Sequence, residues 1–136
     1  HVSGGEIERA VLAAVDAIGA AVGEYAGTPI YPDGDERRGR HLFTVELAGG
    51  PPTAEAAETF AQVLDRTLVA GNEDYEAHRR GDVQLAPPDV AFVRPGAFAG
   101  WMRARGRLGG QNKVPRVVTE GPVRDSLLEF ASENRV

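Results

Sequence analysis

Apolar side chains near the start of the chain recur at spacings of three and four: Ile7, Val11, Ala14, Val15, Ile18 and Val22 form one stripe of a helix. Ser3 followed by Glu6 is a capping box, in which the hydroxyl accepts from one free amide and the carboxylate reaches back to another. The pattern therefore predicts a helix that opens at Ser3 and stops at Gly23. The period then changes. Residues 23–31, with Tyr25, Ile30 and Tyr31, and residues 41–47, with Phe43, Val45 and Leu47 on one face, predict two strands that pair antiparallel across a long polar connection. Gly49, Gly50, Pro51 and Pro52 end the second strand, and Thr53 can cap a long helix whose buried face is Ala57, Phe60, Ala61, Leu64 and Leu68. Gly71 is expected to interrupt or bend that helix. Beyond it, Asn72, Tyr75 and Arg79 share a face if the chain is still helical.

Pro87 and Pro88 lead into the short apolar run 89–93, which suits a buried strand parallel to the one before the helix. Pro95 and Gly96 turn the chain into a short helix with Phe98, Trp101 and Met102 facing inward and Arg103, Arg105 and Arg107 near its basic end. Residues 114–118 could form a last short strand, and Pro122 opens a final helix in which Val123, Leu127, Leu128 and Phe130 pack back on the sheet. The predicted fold is one small α+β domain: a mixed sheet of three or four strands against about four helices, in the order α-β-β-α-β-α-(β)-α.

At 136 residues, 42% hydrophobic and 26% charged, the chain has the composition of an ordinary globular domain. No apolar run approaches the roughly 20 residues needed to cross a bilayer, and the acidic, amphipathic first helix is unlike a signal peptide. A cytoplasmic setting without membrane partners is the expectation. Cysteine is absent, and His1, His41 and His78 have no ligand-like spacing, so neither a disulfide framework nor a structural metal is expected. His1 opens the chain and Met102 is its only methionine, which fits a processed or trimmed chain or a piece of something longer.

The overall charge of −5 argues against general nucleic-acid binding, yet the charge is unevenly spread. Between Asp89 and Glu120 there is no acid and there are six cations, Arg94, Arg103, Arg105, Arg107, Lys113 and Arg116, so the rest of the chain stands at −11. This segment is either a solvated basic face or an edge that focuses an anionic ligand. Lys113 is the only lysine in a chain whose other cations are all arginine. Lysine is a compact point charge on a flexible stem, unlike the flat fork of arginine. Glycines before it and Pro115 after it make either a solvated loop or one shaped to carry an ammonium to an anion. Asn72, Tyr75 and Arg79 are open in the same way, as site residues or as a helix end around a core tyrosine.

In their order and spacing, Asn72, Tyr75 and Arg79, then Leu85 to Pro88, Val93 to Phe98, Trp101 and Met102, and finally Gly109, Gly110, Gln111, Asn112, Lys113, Val114, Pro115 and Arg116 resemble the carboxy-terminal domain of the bacterial auxin-responsive, Gretchen-Hagen-type acyl-acid amido synthetases. The resemblance runs over most of the chain and is loose between Tyr25 and Thr53. It implies membership of the adenylate-forming superfamily. There an acid is activated by Mg2+-bound ATP to an acyl-adenylate with loss of pyrophosphate, and in this family an amino acid amine then displaces AMP to form an amide.

The resemblance further implies that residues 1–136 are a small, mobile lid domain, and that a larger amino-terminal domain, absent here, binds ATP and the acid. Lys113 would be the catalytic lysine, meeting the carboxylate and the α-phosphate. Gly109, Gly110, Gln111, Asn112 and Arg116 would form the substrate and nucleotide loop around it, with Asn72, Tyr75 and Arg79 in support. Plant members carry tyrosine at the position of Asn112. The isolated domain is expected to bind no cofactor and to have no amide-forming activity, since it lacks a phosphate-binding Gly-x-x-x-x-Gly-Lys-Ser/Thr loop and a nucleophile set. The competing readings are a free-standing module that holds a small anion or a protein, or a purely structural domain.

Overall fold

Ser3 does cap the first helix, α1 (Gly4–Ala17): its hydroxyl accepts from the Glu6 amide while the Glu6 carboxylate accepts from the Ser3 amide. The computed structural model describes residues 1–106 and 113–136, so Arg107, Gly109, Gly110, Gln111 and Asn112 lie outside the described residues. The helix ends well before the predicted stop at Gly23. Gly19, at φ 65°, takes the left-handed conformation that suits glycine. Its amide donates to the Asp16 carbonyl, and the Ala20 amide donates back to Val15. This six-to-one and five-to-two pair is a Schellman stop, so Val22 belongs to the following strand.

That strand, β1 (Val22–Ile30), pairs antiparallel with β2 (Arg40–Leu47). The polar connection between them turns on a bridge of its own, Asp33 with Glu36, and its far end is held by a bridge from Gly39 to Leu85. Thr53 caps α2 (Ala54–Gly71), accepting from the Ala56 amide. The expected interruption falls one residue past Gly71, at Asn72, which leaves helical geometry (φ −148°, ψ 111°) and becomes the cap of α3 (Glu73–Arg79). A single 3-10 turn, Arg80–Asp82, follows. β3 (Asp89–Val93) then lies parallel to β2, as predicted, giving a mixed three-stranded sheet in the order β1-β2-β3. The chain finishes with α4 (Ala97–Ala104) and α5 (Gly121–Asn134), the latter with Pro122 in its first turn. Among the described residues, five α-helices and three strands make an α+β domain.

Strand alternation divides the core. One face of the sheet, with Tyr25, Phe43, Val45, Leu47 and Phe92, packs against Ile7, Val11 and Val15 of α1 and Phe60, Leu64 and Leu68 of α2. The opposite face carries Ala26 and Val93 under Phe98, Trp101 and Met102 of α4 and Leu127 and Phe130 of α5. Leu42 and Ala91 meet Ala131 of α5 on that same side. The sheet is thus sandwiched between two pairs of helices, α1 with α2 and the short α4 with α5. Glu46 links the second layer to the sheet: its carboxylate accepts from the Phe98 amide at 2.9 Å, and so supplies the cap that Gly96 cannot.

The predicted last strand, 114–118, does not form as one. Val117 makes a single parallel bridge to Gly27, on the edge of β1 away from β2. The next acceptor along that edge, the Tyr25 carbonyl, takes the Arg116 guanidinium, so the ladder does not continue on that side of the bridge. The segment still alternates like a strand, since Val114 and Val118 enter the α4–α5 core while Val117 packs on the α1–α2 side.

Candidate functional site

The segment that holds Lys113 is stitched to β1 by backbone, side chain and packing together. The Gly27 amide donates to the Arg116 carbonyl at 2.8 Å, and the Val118 amide donates back to the Gly27 carbonyl at 3.0 Å. The buried Thr28 hydroxyl donates to the Val118 carbonyl. Tyr31 donates to the Thr119 carbonyl at 3.3 Å. Gly27 is tightly packed at this point: a Cβ there would stand 3.0 Å from the end of Ile7 and 3.1 Å from the Phe43 ring, so one of them would have to shift.

Arg116 is the anchor closest to Lys113 that makes polar contacts. Its Nη1 donates to Glu24 Oε1 at 2.7 Å and to the Tyr25 carbonyl at 2.9 Å, and its guanidinium lies 4.2 Å from the centre of the Tyr25 ring. Tyr25 is buried, and burial is the main reason its hydroxyl is pushed above its ordinary pKa. Val114 is buried in the α4–α5 core. Lys113, the residue before it, is exposed. The domain therefore holds this lysine's backbone from one side and presents its ammonium outward. Among the other basic residues, Arg103 is exposed and Arg105 lies 4.8 Å over the Trp101 ring. The basic segment is consequently an uneven surface, with Arg105 and Arg116 engaged by the domain itself.

Tyr75 and Arg79 do come together, but around a partner that sequence spacing could not supply, and Asn72 stands apart from them. Asp65, on α2, accepts from the Tyr75 hydroxyl at 2.7 Å and from Arg79 through Nε at 2.9 Å and Nη2 at 2.7 Å. Burial alone would raise the Asp65 carboxyl; the Arg79 and Tyr75 hydrogen bonds outweigh it and hold the carboxyl below its ordinary value. Tyr75 moves strongly upward, first because it is buried and then because its hydroxyl serves the carboxylate. Arg79 also reaches Asp82 and the Leu85 carbonyl. Asn72 does not share their helical face. Its Oδ1 accepts from the Tyr75 amide at 2.8 Å as the cap of α3, while its Nδ2 donates to the Glu6 carboxylate at 3.1 Å. These bonds clamp α3 onto α1 and α2. The polar contacts that these three side chains make among the described residues all lie within the domain.

Among the described residues, no group of three or more histidine or acidic side chains is placed to hold a metal, and no helix is long and apolar enough to cross a membrane. Glu24, Thr28, Asp65 and Glu46 were not singled out by the sequence. A half-buried acid in a strand carries no local mark of the arginine it meets 92 residues later.

Comparison with known proteins accords with this architecture. The GH3 family C-terminal domain matches residues 5–122. No curated protein sequence matches the chain. Among solved structures, a GH3.15 acyl acid amido synthetase superposes over 96% of this chain with a TM-score of 0.76 and 22% identity. An AtGH3.15 acyl acid amido synthetase in complex with 2,4-DB does so over 96% with a TM-score of 0.73 and 22% identity. At that identity the likeness establishes the fold. The chain spans 23% of the length of each of these two proteins. The matched residues run from the first turn of α1 to the first turn of α5, and the chain belongs to the GH3 family as a C-terminal domain.

Proposed function

We propose that this chain is the lid domain of an ATP-dependent acyl-acid amido synthetase and that Lys113 is its catalytic contribution. In the first half-reaction an oxygen of the acid's carboxylate attacks the α-phosphorus of ATP, the bond to pyrophosphate breaks, and an acyl-adenylate forms. In the second, an amino acid amine attacks the acyl carbon, the acyl–oxygen bond breaks, and amide and AMP leave. The Lys113 ammonium would neutralise charge on the carboxylate and α-phosphate as they approach. At about 4 Å and an effective dielectric near 20, one such pair is worth roughly 4 kcal/mol before desolvation. It counts most where charge builds in the transition state.

The observation that carries this reading is the contrast between a tethered backbone and an exposed ammonium. Val114 is buried and Arg116 is bonded to β1, while the Lys113 side chain is exposed. The family match and the fold shared with acyl acid amido synthetases support the same assignment. ATP with its Mg2+, the acyl acid and most of the amino acid site would be held by a larger amino-terminal domain of the same protein. The domain described here would supply the lysine and exclude water as it closes.

The test is ATP–pyrophosphate exchange with a panel of aryl and fatty acids, on the longer protein and on this chain alone. The longer protein is expected to exchange and this chain is not. Lys113→Ala in the longer protein is expected to slow exchange by roughly 100-fold, the scale of losing one transition-state donor. Near-normal exchange by that variant would refute the lysine's role. A longer protein that activates no acid would refute the enzyme reading and leave an anion-binding module.

A further inference from the structure

We infer that Glu24 positions Lys113 through Arg116, an inference that rests on the catalytic reading of that lysine. A lysine at a domain edge can serve a reaction only if its backbone is held, because the side chain itself is a flexible four-carbon stem. Two anchors lie just beyond Lys113. Val114 sets the depth of the chain by entering the α4–α5 core. Pro115 has no amide and adds no backbone bond. Direction is then set at Arg116, three residues past the lysine.

The Arg116 guanidinium has three points of attachment: the Tyr25 carbonyl, the face of the buried Tyr25 ring, and the Glu24 carboxylate. The first two fix its height over the ring. Stacking over an aromatic face is tolerant of rotation; the two directional bonds are those of Nη1, and of these the 2.7 Å bond to Glu24 is the charge-assisted one. With Glu24 gone, the Arg116 backbone stays bonded to Gly27, but its side chain keeps only Tyr25 as a partner, and the looser anchor lets the stretch from Lys113 to Arg116 shift. Misplacement by about 1 Å can cost on the order of 100-fold in rate. The pair contributes little to stability, because both side chains are more than one-third exposed: Arg116 40% and Glu24 37%. A variant at Glu24 therefore folds normally while its lysine is mis-set.

The experiment is a double-mutant cycle in the full-length enzyme, read by ATP–pyrophosphate exchange, with thermal unfolding of the same proteins alongside. Glu24→Ala is expected to lower the maximal exchange rate by about 10-fold or more with KM for ATP unchanged, short of the full loss that a 1 Å displacement can bring. Glu24→Gln, whose amide oxygen can still accept from Arg116, is expected to recover most of that rate. In a Lys113→Ala background, Glu24→Ala is expected to cost nothing further, because a residue that works only through the lysine has nothing left to position. Multiplicative losses in the double variant, a change confined to KM, or a rate loss matched by a lowered melting temperature would each overturn the inference. If Lys113→Ala alone exchanged normally, the catalytic reading and this inference would fall together. A slow Lys113→Ala beside a normal Glu24→Ala would remove only the latter.

Discussion

His41 makes the acid limit of this fold predictable. Its ring sits on β2 between Phe43 and Tyr75, with centroids 6.3 and 5.7 Å away, and its Nδ1 is buried with no hydrogen-bond partner among the described residues. Burial, aided by the N-terminal ammonium, lowers its pKa from 6.5 to about 4. The other charged groups on the hollow beside it are largely paired, the ammonium with Asp74 at 2.8 Å and Asp74 with His78 at 3.4 Å. Because the folded pKa lies below the unfolded one, the unfolded chain takes up the proton first as pH falls. Stability is therefore full above about pH 6.5 and is lost as pH drops toward 4. The whole shift corresponds to about 3 kcal/mol, and the interval from pH 7 to pH 5 carries about 2 kcal/mol of it. That interval lies above the range where Glu6, Asp65 and Asp89, all held below ordinary carboxylate values, take up protons. Urea unfolding of the 136-residue chain at pH 7, 6 and 5 measures the loss, and His41→Phe keeps an apolar ring while deleting the titration. The native chain should lose about 2 kcal/mol between pH 7 and 5 and the variant less than about 0.5 kcal/mol. Equal losses in both proteins would refute the assignment to His41.

Asp65→Ala should lower stability by about 3 kcal/mol, because it strips the shared acceptor from the Tyr75 hydroxyl and the Arg79 guanidinium; urea unfolding measures it, and a loss near zero would show that the clamp on α3 is inert. Gly27→Ala should cost about 1–3 kcal/mol by driving a methyl group against Ile7 and Phe43 where the 116–118 segment meets β1, visible as a lower melting temperature. In the longer protein, Lys113→Ala should abolish most pyrophosphate exchange while leaving the unfolding transition in place, since that side chain is exposed.

Much of the architecture was legible in the sequence because its signals are local. The capping box at Ser3 and Glu6, the alternation of Phe43, Val45 and Leu47, and the apolar run that became β3 each act within a few residues. The overrun of α1 has an equally local cause. Ile18 and Val22 continue the helical period by coincidence, and the left-handed Gly19 ends it. The order of motifs from Asn72 to Arg116 was enough to place the chain in its family.

Other pairings belong to the tertiary structure. Tyr75 and Arg79 are recognisable as helical neighbours, yet the Asp65 that joins them comes from another helix. Lys113 is conspicuous as the only lysine, but the tether of the segment that follows it is formed by Glu24, Tyr25, Gly27 and Thr28, roughly ninety positions away in the chain. The segment 114–118 has the alternation of a strand and still makes one bridge, where the Tyr25 carbonyl accepts from the Arg116 side chain. Propensity, capping and periodicity are properties of a short stretch and can be read from it. Which carboxylate meets which arginine depends on how the sheet and its two helical layers bring distant backbone together, and that the sequence by itself does not specify.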